Sequence, residues 1–327
     1  MRKKITPRSV ETAMSITRSS SDRPSYSILP AKSSAYSTVS LSVILLNRSS
    51  WIFRPEVLDQ LLAFGFSDIL SVETLPVKFD AEALADTHPQ LRFLLLTESL
   101  TPGEQINLAA AEVWGEKFLV LWDDQRLSET FSLAKSGPLL SAPELCLCPE
   151  MRGSDGTPLP TRAVPAREGG RFRILSLPAE AGTEGTLYPF DYSGLYDRRK
   201  FLQSGGFDPR LTNPFWQKVD WGTRARLWGD SLCCAPFRLE YRAELPVEDI
   251  SYEDSYRWFY LKNLAIRFNG ESGELSWFRF PSFLLHSAWV PWKAFHVFRL
   301  VHQWVEEYKF RFQLDSRGLV ELWEQEQ

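Results

Sequence analysis

FLVLWDDQRLS, residues 118–128, is an apolar run that stops on two adjacent aspartates, Asp123 and Asp124. From Phe118 to Trp122 no polar residue intervenes, the pattern of a strand covered on both faces. Neighbouring carboxylates repel each other, so a pair of them at the end of a buried strand needs a reason. A bound cation or a sugar-nucleotide supplies one, and a solvated turn supplies another.

Working outward, strand-like and helix-like segments alternate. TVSLSVILLN (38–47) is a β-branched, apolar strand. RPEVLDQLLAFG (54–65) places Pro55 near a helix start, Val57, Leu58, Leu61 and Leu62 on one face, and Gly65 at the stop. FSDILSVE (66–73) is a strand ending in an acid, Glu73, and LRFLLL (91–96) is a third strand. Thr101-Pro102-Gly103-Glu104 is a capping box with proline at the first helical position, and it opens an Ala-rich helix that closes at Gly115. KFLVLW (117–122) is then the fourth strand. This alternation predicts an α/β fold, a mixed, mostly parallel sheet with helices on both faces. Ligands of such sheets bind beyond the carboxyl ends of the strands, the rim on which Glu73, Asp123 and Asp124 fall.

Further along, the Pro- and Gly-rich stretch 135–186 holds two strand-like runs, PELCLC (143–148) and RFRILSL (171–177), read as a hairpin joined by the loop 151–170. A helix is expected from Trp216 to Trp228, capped by Gly229, with a strand over 230–242.

The formal net charge of −4 on 327 residues gives no reason to expect a nucleic-acid partner. The four cysteines form Cys146-x-Cys148 and the neighbours Cys233-Cys234, neither with zinc or redox spacing, so they read as reduced, mostly buried thiols of a cytosolic protein. His286, His296 and His302 do not share the helical face that a metal site needs, and His88 precedes a proline. Residues 1–36 carry seven Lys/Arg, two acids and nine serines without the apolar core of a signal peptide. They are expected to form a disordered leader, with weak attraction for anionic lipid, or to stem from a start codon assigned too far upstream. The main domain is expected over 37–250 and a helical, aromatic-rich extension over 251–327.

Within that extension, residues 252–312 contain eighteen Phe, Tyr and Trp interleaved with eight Lys/Arg, and Phe295, Phe298, Val301, Val305 and Tyr308 recur at helical spacing. Pro281 to Trp292, the longest uncharged run, is too short to span a bilayer. Either these helices pack back on the main domain, the preferred reading, or the aromatics enter a lipid headgroup layer while Lys and Arg snorkel.

The order of the pieces from about Leu41 to Gly229 resembles the family 2 glycosyltransferases, inverting enzymes of the GT-A fold. Glu73 matches the family's acid that meets the nucleotide, and Gly103 and Asn107 match its glycine followed by a helix with an asparagine. Asp123-Asp124-Gln125 matches the D-x-D that closes a strand, with Gln125 in place of the second metal-binding carboxylate. Gly205-Gly206-Phe207-Asp208 is the family's acceptor-side G-G-F-D, intact. QKVDWGTRARLWG (217–229) stands where the family has an acidic pair followed by V-D-L-x-x-R-x-R-x-x-G, so Gln217 and Lys218 replace the acids that supply the general base. YLKN (260–263) resembles a Tyr-x-x-Asn of helices that follow the catalytic domain in some members.

The resemblance implies a nucleoside-diphosphate sugar bound by Glu73, Asn107, Asp123, Asp124, Gln125 and Arg224. It implies Mg2+ or Mn2+ held by Asp123 and Asp124, and an acceptor side at Gly205, Gly206 and Asp191. Asp220 is the leading candidate base, with Asp208 and Asp191 behind it; in the first turns of a helix Asp220 is also favoured simply by the dipole. The implied activity is inverting transfer of a sugar to a glycan or lipid-linked acceptor in envelope polysaccharide assembly, in the cytoplasm or peripherally on the inner face of the membrane. The alternative is a catalytically inactive relative that binds a sugar-nucleotide, a glycan or a partner protein. A Ser/His/Asp hydrolase has little support.

Overall fold

The computed structural model describes residues 24–29, 40–48, 55–179, 184–241, 248–251, 254–287 and 290–325. Its strands of three residues or more are β1 (Tyr26–Leu29), β2 (Leu41–Leu46), β3 (Ile69–Thr74), β4 (Leu91–Leu96), β5 (Lys117–Trp122), β6 (Gln125–Leu127), β7 (Cys146–Arg152), β8 (Arg162–Glu168), β9 (Arg171–Leu177), β10 (Gly194–Asp197) and β11 (Leu232–Tyr241). The helices of the sheet domain are α1 (Pro55–Ala63), α2 (Ala81–Thr87), α3 (Pro102–Glu112), α4 (Gly137–Ser141), α5 (Arg198–Ser204) and α6 (Pro214–Leu227). After them come α7 (Asp254–Phe259), α8 (Phe280–Ser287), α9 (Pro291–Tyr308) and α10 (Ser316–Gln325).

Nine strands form one sheet in the order β1-β4-β3-β2-β5-β10-β7-β11-β6. β2, β3, β4 and β5 pair in parallel, as do β7 and β11, while β1, β10 and β6 pair antiparallel to their neighbours. The expected mixed, mostly parallel sheet is therefore present. Period-2 alternation divides each central strand between two cores. Val43, Leu45, Phe93, Leu119 and Leu121 face α1 and α2, whereas Ile44, Leu46, Leu94, Val120 and Trp122 face α3, α5 and α6. The capping box expected at Thr101 forms, with Glu104 Oε2 accepting from the Thr101 amide at 3.0 Å.

α6 carries a third core on its other side. Phe215, Trp216, Val219 and Trp228 pack there against Phe259, Val297, Phe298, Val301, Trp304 and Val305. The preferred reading of the aromatic extension, packing back on the domain, agrees with the burial of Phe298, Val301 and Val305, although Phe295 stays 42% exposed.

Several expectations are corrected. Tyr26–Leu29, inside the supposed disordered leader, is a strand at the sheet edge, because Tyr26, Ile28 and Leu29 offer apolar side chains and β4 offers an open edge; the remainder of 1–36, apart from Pro24 and Ser25, lies outside the described residues. RFRILSL does not pair with PELCLC. It pairs with β8 as a separate hairpin, and the cysteine strand β7 joins the main sheet between β10 and β11. α3 ends at Glu112 rather than running to Gly115.

Candidate active site

β2, β3 and β5 run parallel, so their carboxyl ends open on one rim. β5 ends at Trp122, the chain turns on Asp123 and Asp124, and β6 returns antiparallel to β11. Both aspartates are buried, at 2% and 4% exposure. The next residue after Asn47 on β2's exit, Arg48, closes over them. Its backbone amide donates to Asp123 Oδ1 at 3.2 Å, its Nε donates to Asp124 Oδ2 at 2.6 Å, and its Nη2 donates to Asp191 Oδ2. The guanidinium lies 4.1 Å above the Trp122 ring.

Asp191 is the centre of this arrangement. It comes from the loop before β10, and its Oδ2 also accepts from Tyr241 Oη at 2.6 Å and Gln125 Nε2 at 3.3 Å. Asp191 and Tyr192 adopt φ of +52° and +63°, a left-handed conformation that non-glycine residues rarely hold and that concentrates at functional sites. Burial pushes the Asp191 carboxyl above its usual range, against the pull of Arg48, Lys218 and Tyr241. Burial works against the charge on Arg48, but Asp191 and Asp124 outweigh it and hold the guanidinium charged.

Glu73 lies at the end of β3 on the same rim and is 3% exposed. Asn47 Nδ2 donates to it at 2.6 Å and Ser71 Oγ at 2.8 Å. Burial, with Asp123 adding repulsion, pushes its carboxyl up to about 7 despite those bonds.

The acceptor-side motif is built differently. Gly205 (φ +82°) ends α5, and Gly206 (φ +64°) has no room for a Cβ, which would come within 2.2 Å of Asn107 Oδ1. Asn107 spends its amide on this turn: Nδ2 donates to Phe207 O at 2.7 Å, and Oδ1 accepts from Phe207 N at 2.9 Å. Arg224 holds the same turn from below, donating to Ser204 O and Gly206 O at 2.7 Å each while 1% exposed. The resemblance implies that both meet the diphosphate, but Arg224 is buried, and Asn107, though part-exposed, engages this turn with both amide atoms.

Asp208 and Asp220 share one ammonium, Lys262 Nζ, at 2.8 Å from each. Asn263 Nδ2 donates to the other oxygen of Asp220 at 2.8 Å, and Arg210 binds Asp208. Burial alone would raise the Asp208 carboxyl, yet Lys262 and Arg210 hold it far below the usual range. A base must reach the hydroxyl that it deprotonates. Asp220, 0% exposed with both oxygens bonded, does not, and Asp208 has both of its oxygens bonded by Arg210 and Lys262. Both expectations are corrected in favour of a structural role. At the positions where the resemblance places acids, Gln217 Oε1 accepts from Gly103 N and Tyr192 Oη, and its Nε2 donates to Thr101 Oγ1 and Asp208 O. Lys218 pairs with Glu248 at 2.6 Å.

No protein-family model matches the sequence, and no curated protein matches it. Solved structures do. GalNAc-T7, determined with UDP, GalNAc and Mn2+, superposes with a TM-score of 0.50 at 12% identity, over 69% of this chain and 50% of that one. The S. aureus TarS fragment 1–349 with UDP-GlcNAc superposes with a TM-score of 0.48 at 15% identity, over 79% of this chain and 70% of that one. At such identities the likeness is one of fold. The chain has the GT-A fold. It spans half the length of the GalNAc-T7 chain it matches.

GT-A enzymes often use a divalent cation, so the fit of one can be asked of these side chains. Among the described residues no group of three or more His, Cys, Asp or Glu could hold a metal. Gln125, where the GT-A motif has its second metal carboxylate, turns Oε1 inward to accept from Ser193 Oγ at 2.8 Å and Trp122 N at 3.1 Å. Asp124 Oδ1 is buried without a partner, but the same carboxylate's other oxygen carries Arg48. A dication placed there would meet a full positive charge at contact distance. The residues do not fit a metal.

Of the residues expected around the GT-A donor, the structure brings Asp123, Asp124 and Gln125 together, with Glu73 beside them, and it adds Asp191, which was expected on the acceptor side with Gly205 and Gly206. Arg48, Tyr241 and Lys262 were missed. Arg48 and Tyr241 stand at the ends of recognisable strands, a signal that could have found them. Lys262 lies inside the YLKN motif, which turns out to clamp α6 through a π-helical turn, Tyr260–Leu264.

Proposed function

We propose that the protein is a GT-A glycosyltransferase that transfers a sugar from a nucleoside-diphosphate sugar to a glycan or lipid-linked acceptor with inversion. The observation that carries this reading is the convergence of Asp123, Asp124 and Asp191 under Arg48 at the carboxyl ends of the sheet, with Glu73 on the same rim. The donor's nucleoside lies toward Glu73 and Asp123, and its diphosphate meets the exposed edge of Arg48. Asp191 is the base. Burial raises its proton affinity above that of an ordinary aspartate, and its strained backbone is of the kind retained for function. The acceptor oxygen attacks the anomeric carbon, the bond to the diphosphate breaks, and the acceptor's proton passes to Asp191.

The exposed apolar residues of the extension, Phe278 (95%), Leu285 (81%), Trp292 (84%) and Phe310 (77%), lie among Arg279, Lys293, Lys309 and Arg311. They support a peripheral position on an anionic bilayer, with a lipid-linked acceptor and a role in envelope polysaccharide assembly. No helix among the described residues is long and apolar enough to cross a membrane.

The test is nucleoside-diphosphate release from a panel of nucleotide sugars, with Asp191→Asn as the control. Removing a general base lowers kcat by about 10²–10⁴-fold. An Asp191→Asn protein as fast as wild type would remove the mechanism. The inactive alternative is supported by the locking of Gln217 and Lys218 into internal bonds at the resemblance's base position. It predicts nucleotide binding without release from any donor.

A further inference from the structure

We infer that Arg48 is the resident cation of this site, and that the protein binds the diphosphate of its donor without a divalent metal. The inference rests on the glycosyltransferase reading and deepens it. Where the D-x-D pattern would collect carboxylates around an ion, this chain collects them around a guanidinium. Asp124 and Asp191, from two segments far apart in sequence, each give an oxygen to Arg48, and Asp123 fixes its backbone amide. The Trp122 ring beneath it adds a cation–π contact and fixes the plane of the group.

The exposures point the same way. The Arg48 side chain is 29% exposed, against 5% and 7% for Asp124 and Asp191. The acids form a buried floor, and the positive charge faces outward. An approaching phosphate meets the guanidinium before it meets the carboxylates. Arginine suits that position, because its planar fork pairs with phosphate oxygens while remaining charged at any physiological pH. Gln125 completes the substitution. A carboxylate there would add a fourth negative charge beside Asp123, Asp124 and Asp191, which Arg48 bonds directly while Lys218, the other cation acting on Asp191, is paired with Glu248. The neutral amide donates to Asp191 instead.

The experiment is calorimetric titration of the full chain with UDP, GDP, CDP and dTDP, in EDTA and again with Mn2+. At least one nucleotide is expected to bind equally well in both conditions. Arg48→Ala is expected to lose at least about tenfold in affinity, about 1.4 kcal/mol, in EDTA. With the guanidinium gone, Asp123, Asp124 and Asp191 lose the charge of Arg48, so Mn2+ is expected to restore binding to Arg48→Ala while leaving wild type unchanged. A merely structural arginine would not produce that rescue. Arg48→Lys, which keeps the charge but not the fork, is expected to fall between the two and guards against a fold defect in the alanine variant. Wild-type binding that needs Mn2+, or Arg48→Ala binding as tightly as wild type in EDTA, would overturn the inference and leave the glycosyltransferase reading standing. Failure of every nucleotide in both conditions would overturn both.

Discussion

Glu73 illustrates how one side chain on the rim couples site and stability. Its carboxyl titrates at about 7 in the fold against an ordinary 4.5, chiefly through burial. Between those values the folded chain holds more protons than the unfolded chain, so stability falls as pH rises through that window. Glu73→Gln keeps an oxygen for Asn47 and Ser71 and has no charge to bury. Urea denaturation is expected to show that this variant loses the slope and, at about pH 8, exceeds wild type by on the order of 2 kcal/mol. A variant with the same slope as wild type would mean that Glu73 is not the titrating group. The acids Glu73, Asp123 and Asp124 were legible in sequence as strand ends. Their partner Arg48 also stood at a strand end, but its pairing with Asp124 and Asp191 was not legible, because those acids lie 76 and 143 residues further along the chain.

At the scale of elements, α6 joins the sheet to the C-terminal helices. Its helix signals, Asn213 before Pro214 and Gly229 after the end, are local, and its extent was legible to within two residues. Its chemistry was not. Asp220 reads as a first-turns acid ready for catalysis until Lys262 and Asn263, more than forty residues away, close on it. Removing one partner from a buried ion cluster leaves an uncompensated charge, so Lys262→Ala is expected to cost about 3–5 kcal/mol in equilibrium denaturation. Adding Asp220→Asn should recover part of that loss, and strict additivity would refute the coupling. Gly222 sits where α6 passes the chain before Asp191. A Cβ there would come within 1.9 Å of Leu187 O, so Gly222→Ala is expected to destabilise by more than about 3 kcal/mol.

For the whole molecule, two of the three cores meet through α6, and the extension is part of the fold rather than an appendage. A chain ending at Ile250 would expose Trp216, Val219 and Trp228 and strip Lys262 from Asp208 and Asp220. It is expected to be insoluble on expression, so membrane attachment is better tested by surface substitution. Phe278→Glu, Leu285→Glu and Trp292→Glu together are expected to abolish flotation with anionic liposomes without shifting the thermal midpoint, since all three side chains are exposed. Equal flotation of variant and wild type would remove the lipid surface from the proposed function.

The sequence by itself determined what is local or periodic: the buried strands, the Thr101 cap, the turn glycines, and hence an α/β sheet with acids on one rim. Tertiary structure alone decided which charges meet. It brought Arg48 onto Asp124 and Asp191, and Lys262 onto Asp208 and Asp220, and so divided the acids into a group under a part-exposed arginine and a group locked on a buried lysine. The physical reason is that burial and ion pairing depend on neighbours distant along the chain, whereas strand and helix patterns are written in neighbours a few residues apart.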